Sequence, residues 1–458
     1  MHLVGKKDSP PITSKRDLRE YFLSACKPRE AWRLGTEHEI VGVRSQGPDT
    51  GSAPPYDGEN GIGALLGEIA LNGWSPVREE GNTIALVRGD AQVTIEPGGQ
   101  LELAARPVNH TNEMREDLDG YVLELAGPSR RLGMAWLCVG FRPFGRLDDV
   151  PWMPKERYKV MRAYLPAQGK LAHEMMKRTA TVQVNIDYSD PDDARDKLRA
   201  IFSVTSILTA IFANSPIVDA AESGFQSYRA EVWHHTDPAR CGLLDFVFED
   251  GDIFDAYTEW ALDVPLFFVY RDAYRLAGGM TFRQFMAEGF EGQPATLEDW
   301  ALHLSTLFPE ARMKKFIEVR GCDSGSMEMV LALAPLCRGL FYDRDARRQA
   351  IALTASLDMS ERRELSHLVA RTGLGAKVPG TGQRVADLAR ELISIAEDGL
   401  RRQMPDELPY LAPARAVVDS GWTQADALID LWRQTGGNPA DIIPRIAHRC
   451  LGSSQPCP

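Results

Sequence analysis

An α+β fold is predicted for this 458-residue chain by three observations. Short segments that alternate polar and apolar residues recur through much of its length. Longer segments with apolar residues at helical spacing lie between them. From about Asp343 onward the signals are nearly all helical. No internal repeat or low-complexity segment interrupts the pattern. The expected arrangement is a mixed body over residues 1–342, with a helical region, 343–458, packed on the same unit and no flexible linker between them.

Taken in order, KRDLREYFL predicts a short helix over Lys15–Leu23, followed by a strand at 34–40, LGTEHEI. Residues 47–63 are rich in turn formers and predict a loop. Its Gly61 and Gly63 follow no strand, so they make no dinucleotide fingerprint. Residues 84–88 and 92–103 predict a hairpin closed by Gly89-Asp90, with a break at Pro97-Gly98-Gly99 that re-aims the chain. Strands are expected at 135–141, 179–188 and 315–320, and helices at 112–126, 156–164, 193–212 and 300–307. In the last third, Val385, Leu388, Leu392, Ile395 and Ala396 keep helical spacing. Thr423 caps a further helix through Trp432, which Gly436 and Gly437 end.

Composition narrows the function classes. Hydrophobic content of 44% and charged content of 25% are those of a soluble globular protein. The net charge of −12 argues against a nucleic-acid or anionic-membrane partner. It permits a small anionic ligand, because bound metal ions supply the missing positive charge. The stretch IFSVTSILTAIFANSPIV from Ile201 carries Ser and Thr and breaks at Asn214–Pro216, which fits a buried helix better than a membrane span. The start, MHLVGKKDSPPITSKRD, lacks a signal peptide's apolar run. The cysteines (seven) are odd in number and scattered without a CxxC, as in reduced intracellular thiols. Together these predict a cytoplasmic address.

Side chains two apart on a strand share a face. Glu37 and Glu39 therefore look one way, and Thr36, His38 and Ile40 the other. Gln100 and Glu102 share a face, and Glu96 stands just before the break. In TATVQVNIDY, Thr181, Gln183, Asn185 and Asp187 line one side. In FIEVRG, Glu318 and Arg320 oppose Ile317 and Val319. A solvated sheet face is the plain alternative. However, crowded acids repel one another unless cations sit among them. Mg²⁺ takes oxygen ligands and commonly bridges carboxylates to phosphates. The pattern thus suits a nucleotide site in which Arg320 stabilises a phosphoryl group in transfer.

Other groups are less marked. Arg229 shares strand parity with Glu231 and can grip a carboxylate or phosphate, with a surface salt bridge as an equal reading. Adjacent His234 and His235 on a strand would point apart, with no HExxH or third clustered His, so a loop or surface role is the main reading and a zinc role the minor one. His38 faces away from the acids and is expected to be packed and hydrogen-bonded. Cys241 and Cys322 are expected as small core or loop residues.

GTEHE, EPGGQLEL, MPKERYKVMRAYLP, TATVQVNID, FANSP, MTFRQFM and HLSTLFPEARMKKFIEVRG together resemble the glutamate–cysteine ligases of the plant and proteobacterial type. The resemblance runs from about Lys15 to about Asp343 and weakens in the helices beyond. It implies a glutamine-synthetase-like curved antiparallel sheet forming a funnel-shaped active site, with helices packed outside. It implies ATP-dependent ligation of L-glutamate, through a γ-glutamyl phosphate, to the amine of L-cysteine, the first step of glutathione synthesis. ATP and Mg²⁺ would be required, in a monomer or homodimer. By motif, Glu37, Glu39, Glu96, Glu102 and Glu318 match metal ligands. Gln183 and Asn185 match the polar strand beside them, Arg320 an arginine near the transferred phosphoryl, and Arg229 one near substrate. The chain departs from the familiar form at Ile40, at Ala104, in HTDPARCG and in RGCDSG, none of which removes a matched ligand. Two alternatives follow: a ligase of the same fold with another amine acceptor, or an inactive nucleotide-binding regulator.

Overall fold

The computed structural model describes residues 9–448; the first eight residues, and Cys450 and Cys457, lie outside them. Nine strands form one open antiparallel sheet: β1 (Leu34–Arg44), β2 (Ser75–Glu79), β3 (Asn82–Arg88), β4 (Ala91–Ile95), β5 (Leu101–Ala104), β6 (Met134–Leu137), β7 (Thr181–Ile186), β8 (Ala311–Met313) and β9 (Ile317–Asp323). Their order is β8-β9-β7-β1-β5-β4-β3-β2, with β6 added on β1. The long β1 is the hub. Its first half pairs with β5 and β7, and its second half pairs with β6 through Val41↔Leu137 and Val43↔Ala135.

Alternation decides which face is buried. Ile40, Leu101, Leu103, Val182, Val184, Ile186, Ile317 and Val319 lie in the main core. Their polar neighbours therefore turn to the other side of the sheet. Helices cover the apolar side: α1 (Thr111–Arg131), α2 (Pro191–Ile211), α4 (Met327–Cys337), α5 (Met359–Thr372) and α6 (Val385–Gln403), whereas α3 (Tyr228–His234) sends Arg229 to the polar face and α7 (Gln424–Thr435) packs Leu428 and Trp432 with Val41 and Val43 in a separate small core. The apolar stretch from Ile201 is the last part of α2, and Ile201 through Ile211 are all buried. Asp190 caps α2 by accepting from Asp193 N, with Pro191 in the first turn. The cap expected at Thr423 forms a capping box with Asp426, and Gly436 ends α7 in the left-handed region at φ 62°.

Three expectations are corrected. Residues 228–231 are not a strand: Ser227 accepts a hydrogen bond from Ala230 N and starts helix α3. Arg229 and Val232, one helical turn apart, are its buried residues. Four residues of alternation fit either period, and the Ser cap decides between them. The second hairpin strand is two strands, since β4 and β5 pair with each other through Ile95↔Leu101. The expected loop at 47–63 runs into a helix, Ile62–Ala70. Gly61 is needed there because a Cβ would lie 2.3 Å from the Tyr56 carbonyl oxygen. No helix among the described residues is long and apolar enough to cross a membrane.

Candidate active site

The polar face of β1, β5, β7 and β9 floors a cleft of about 150 Å³. Antiparallel register sets its centre. Glu39 stands directly opposite Glu102, and on the other side Glu37 stands opposite Gln183. Glu96 arrives from the turn that joins β4 to β5. That turn is held by Gly99 N donating to Glu96 O and Glu96 N to Gln100 O. The Gln100 side chain spends its amide on the scaffold, accepting from Gly98 N and donating to Thr179 O. Glu37, Glu39, Glu96 and Glu102 thus line one cleft, together with Gln183, Arg229 and Arg320.

Each acid is differently supported. Asn185 Nδ2 donates to Glu37 Oε1 at 3.0 Å, Thr181 N to Glu39 Oε2 at 2.9 Å and Thr94 Oγ1 to Glu96 Oε1 at 3.2 Å. Burial, then Glu102 and Glu96, push the Glu39 carboxyl well above its usual range. Burial, then Glu37 and Glu96, bring Glu102 up to about 7. Lys155, buried beside them, donates to Ile95 O, and burial lowers its ammonium below the ordinary lysine value.

Glu318 is set apart. Its carboxylate is fully buried and meets Lys314 and Arg312 at 2.5 Å each and Arg320 at 3.2 Å. Burial alone would raise this carboxyl; Arg312, Lys314 and Arg320 reverse that and hold it far below the usual range. The three cations line the cleft above it. Arg320 Nη1 also donates to Gln183 Oε1 at 2.6 Å. One wall is therefore acidic and the adjoining wall basic.

Arg229 reaches the cleft from α3 and donates to Arg320 O at 2.9 Å. The start of α3 is fixed by Asp323, a buried carboxylate that accepts from Asn214 N, Ser215 Oγ and Ser227 Oγ. The FANSP and RGCDSG motifs meet here. Sequence reasoning missed Lys155, Arg157, Arg312 and Lys314 as cleft residues and Asp323 as the anchor of α3. Only the motif strings MPKERY, EARMKK and RGCDSG pointed near them. His38 is packed as expected, edge-on to His448 at 5.1 Å between centroids. Among the described residues neither of its ring nitrogens has a hydrogen-bond partner, which departs from the other half of that expectation. Cys322 is buried in the core, and burial pushes the Cys241 thiol up to about 12.

A family model, Glutamate-cysteine ligase family 2 (GCS2), matches residues 33–443. The chain belongs to this family. It is 39% identical over 437 residues to a relative named glutamate–cysteine ligase B, chloroplastic, of Oryza sativa subsp. japonica, covering 94% of this chain and 86% of the relative. To the chloroplastic glutamate–cysteine ligase of Medicago truncatula it is 39% identical, covering 92% and 82%. A crystal structure of the glutamate–cysteine ligase of Francisella tularensis in complex with AMP shares the fold at a TM-score of 0.56 and 15% identity, over 91% of this chain and 88% of that one. The chain is accordingly an enzyme of the ligase class with the expected α+β architecture. The cytoplasmic address is overturned by the plant relatives, which are named chloroplastic. Scattered thiols fit a reducing compartment without saying which one.

Proposed function

We propose that the cleft joins L-glutamate to L-cysteine at the expense of ATP. The γ-carboxylate of glutamate takes the terminal phosphoryl group of ATP, releasing ADP. The cysteine amine then attacks the acyl phosphate, forming the amide and expelling phosphate. The observation that carries this reading is the meeting of four carboxylates and a guanidinium wall in one cleft. Burial and neighbouring carboxylates push the Glu39 and Glu102 carboxyls up, and a hard divalent cation among them would relieve that crowding. Glu37, Glu39, Glu96 and Glu102 would hold Mg²⁺, which when bound neutralises phosphate charge and ties the nucleotide to the sheet.

The chain's own groups do the rest. Arg320, fixed by Gln183 and Glu318, presents a preorganised donor to the phosphoryl group without further reorganisation. Asn185 holds the Glu37 carboxylate in place. Arg229 grips a substrate carboxylate. Glu318, matched by motif to the metal ligands, is read from its three cationic partners as the counter-ion that aims Arg312 and Arg320. Small molecules are the partners in this reading, in a monomer or homodimer; sedimentation distinguishes the two.

Coupled ADP release with glutamate, with and without cysteine, tests the proposal, together with the mass of the product. Glu37→Gln is expected to lower ADP release at least about a hundredfold, while the sheet stays folded by circular dichroism. Faster turnover with 2-aminobutyrate than with cysteine would assign the fold to another acceptor amine.

A further inference from the structure

Outside the cleft, α3 and α5 bring together a cluster that the ligase reaction does not use. Glu231 and His234 lie one turn apart on α3, and His367 faces them from α5. Among the described residues these three offer ligand atoms that all fall within 4.8 Å of one another. His234 Nδ1 is 3.6 Å from Glu231 Oε2, and His367 Nδ1 is 3.9 Å from the same oxygen. The two imidazole rings stand 4.1 Å apart between centroids. A tetrahedral ion with bonds of about 2.0–2.1 Å separates its ligand atoms by roughly 3.4 Å. The cluster is therefore near closure without backbone movement.

The surrounding contacts are those of a metal site. His234 Nε2 is held by Ser366 Oγ at 2.7 Å, which leaves Nδ1 toward Glu231. His235 Nε2 sits 3.0 Å from the other oxygen, Glu231 Oε1. Such outer partners fix ring and carboxylate orientation around bound ions. His367 is half-exposed and gives solvent a path in, whereas His234 and Glu231 are mostly covered.

We propose that Glu231, His234 and His367 bind a divalent transition ion of the zinc type, with water as the fourth ligand. Imidazole nitrogen and a single carboxylate suit such an ion, whereas Mg²⁺ favours the all-oxygen cleft. The ion staples α5, in the helical last third, to α3, whose Arg229 lines the cleft two residues before Glu231.

The test uses the untagged full chain, stripped by a chelator and kept in excess Mg²⁺. Co²⁺ titration is expected to give one equivalent with a tetrahedral visible spectrum, displaced by Zn²⁺, and Zn²⁺ is expected to raise Tm. His367→Ala, at a half-exposed position, weakens Co²⁺ binding at least about tenfold and removes the Tm rise; Ser366→Ala weakens it about 10–100-fold. Absence of stoichiometric binding would overturn the proposal and leave a hydrogen-bonded cluster. So would a Co²⁺ spectrum unchanged in His367→Ala, which would place the ion on cysteines elsewhere.

Discussion

Glu102 carries the clearest consequence at the scale of one residue. Its carboxyl titrates at about 7 in the folded protein, against about 4.3 for an unperturbed Glu. Between those values the folded state holds a proton that the unfolded state has lost, so metal-free stability falls as pH rises through this window. Mg²⁺ needs the carboxylate, and below pH 7 it must displace that proton. Its affinity is therefore expected to strengthen with pH, Glu102 contributing up to about tenfold per pH unit from 6 toward 7 and Glu39, whose carboxyl is also raised, adding to that. Calorimetric Mg²⁺ titrations at pH 6 and 8, in buffers of differing ionisation enthalpy, check this. Equal affinities without proton release would remove Glu102 from the ion's shell. The residue itself was legible in the sequence, because alternation on a strand fixes the face of every second side chain. Lys155 and Arg312 were not, since folding brings them in from a helix start and an edge strand, and no local period records such a meeting.

At the scale of an element, the turn between β4 and β5 decides whether Glu96 and Glu102 meet. Pro97-Gly98-Gly99 read plainly as a break, but which neighbour demanded glycine was invisible. A Cβ on Gly98 would lie 2.0 Å from the Lys177 carbonyl oxygen, in the helix that leads into β7. Backbone on both sides leaves no flexible atom to yield. Gly98→Ala is expected to destabilise the protein by about 3 kcal/mol or more and to weaken Mg²⁺ binding through displacement of Glu96. Urea unfolding, followed by Mg²⁺ titration of the folded fraction, measures both. Near-native stability would show that the turn opens to accept the methyl group. The same limit explains why α3 was misread: its Ser227 cap takes its meaning from Asp323, about a hundred residues away.

At the scale of the molecule, buried residues on both sides of Asp343 belong to one core among the described residues. Arg338–Tyr342 and α6 approach so closely that a Cβ on Gly399 would lie 2.0 Å from the Gly339 carbonyl oxygen. Tyr342 donates to Arg33 O and accepts from Asp187 N, which ties the junction to the start of β1 and the end of β7. Arg347 reaches Asp193 on α2, and Arg338 reaches Glu407. Leu388, Leu392, Ile393 and Ile395 of α6 are buried in the same core as Val182 and Ile317. At about 1.5–3 kcal/mol each by burial, the four side chains contribute about 6–12 kcal/mol, comparable to the whole net stability of an ordinary domain. We therefore expect the two parts to unfold in a single transition, with tryptophan fluorescence and far-UV circular dichroism coincident in urea. A chain ended at residue 342 is expected to be insoluble or to lack near-UV signal, because the outer faces of α2 and α4 would lie bare. A soluble 1–342 fragment with a cooperative transition of its own would instead make the helical third a separate domain, and α6 an accessory to the sheet.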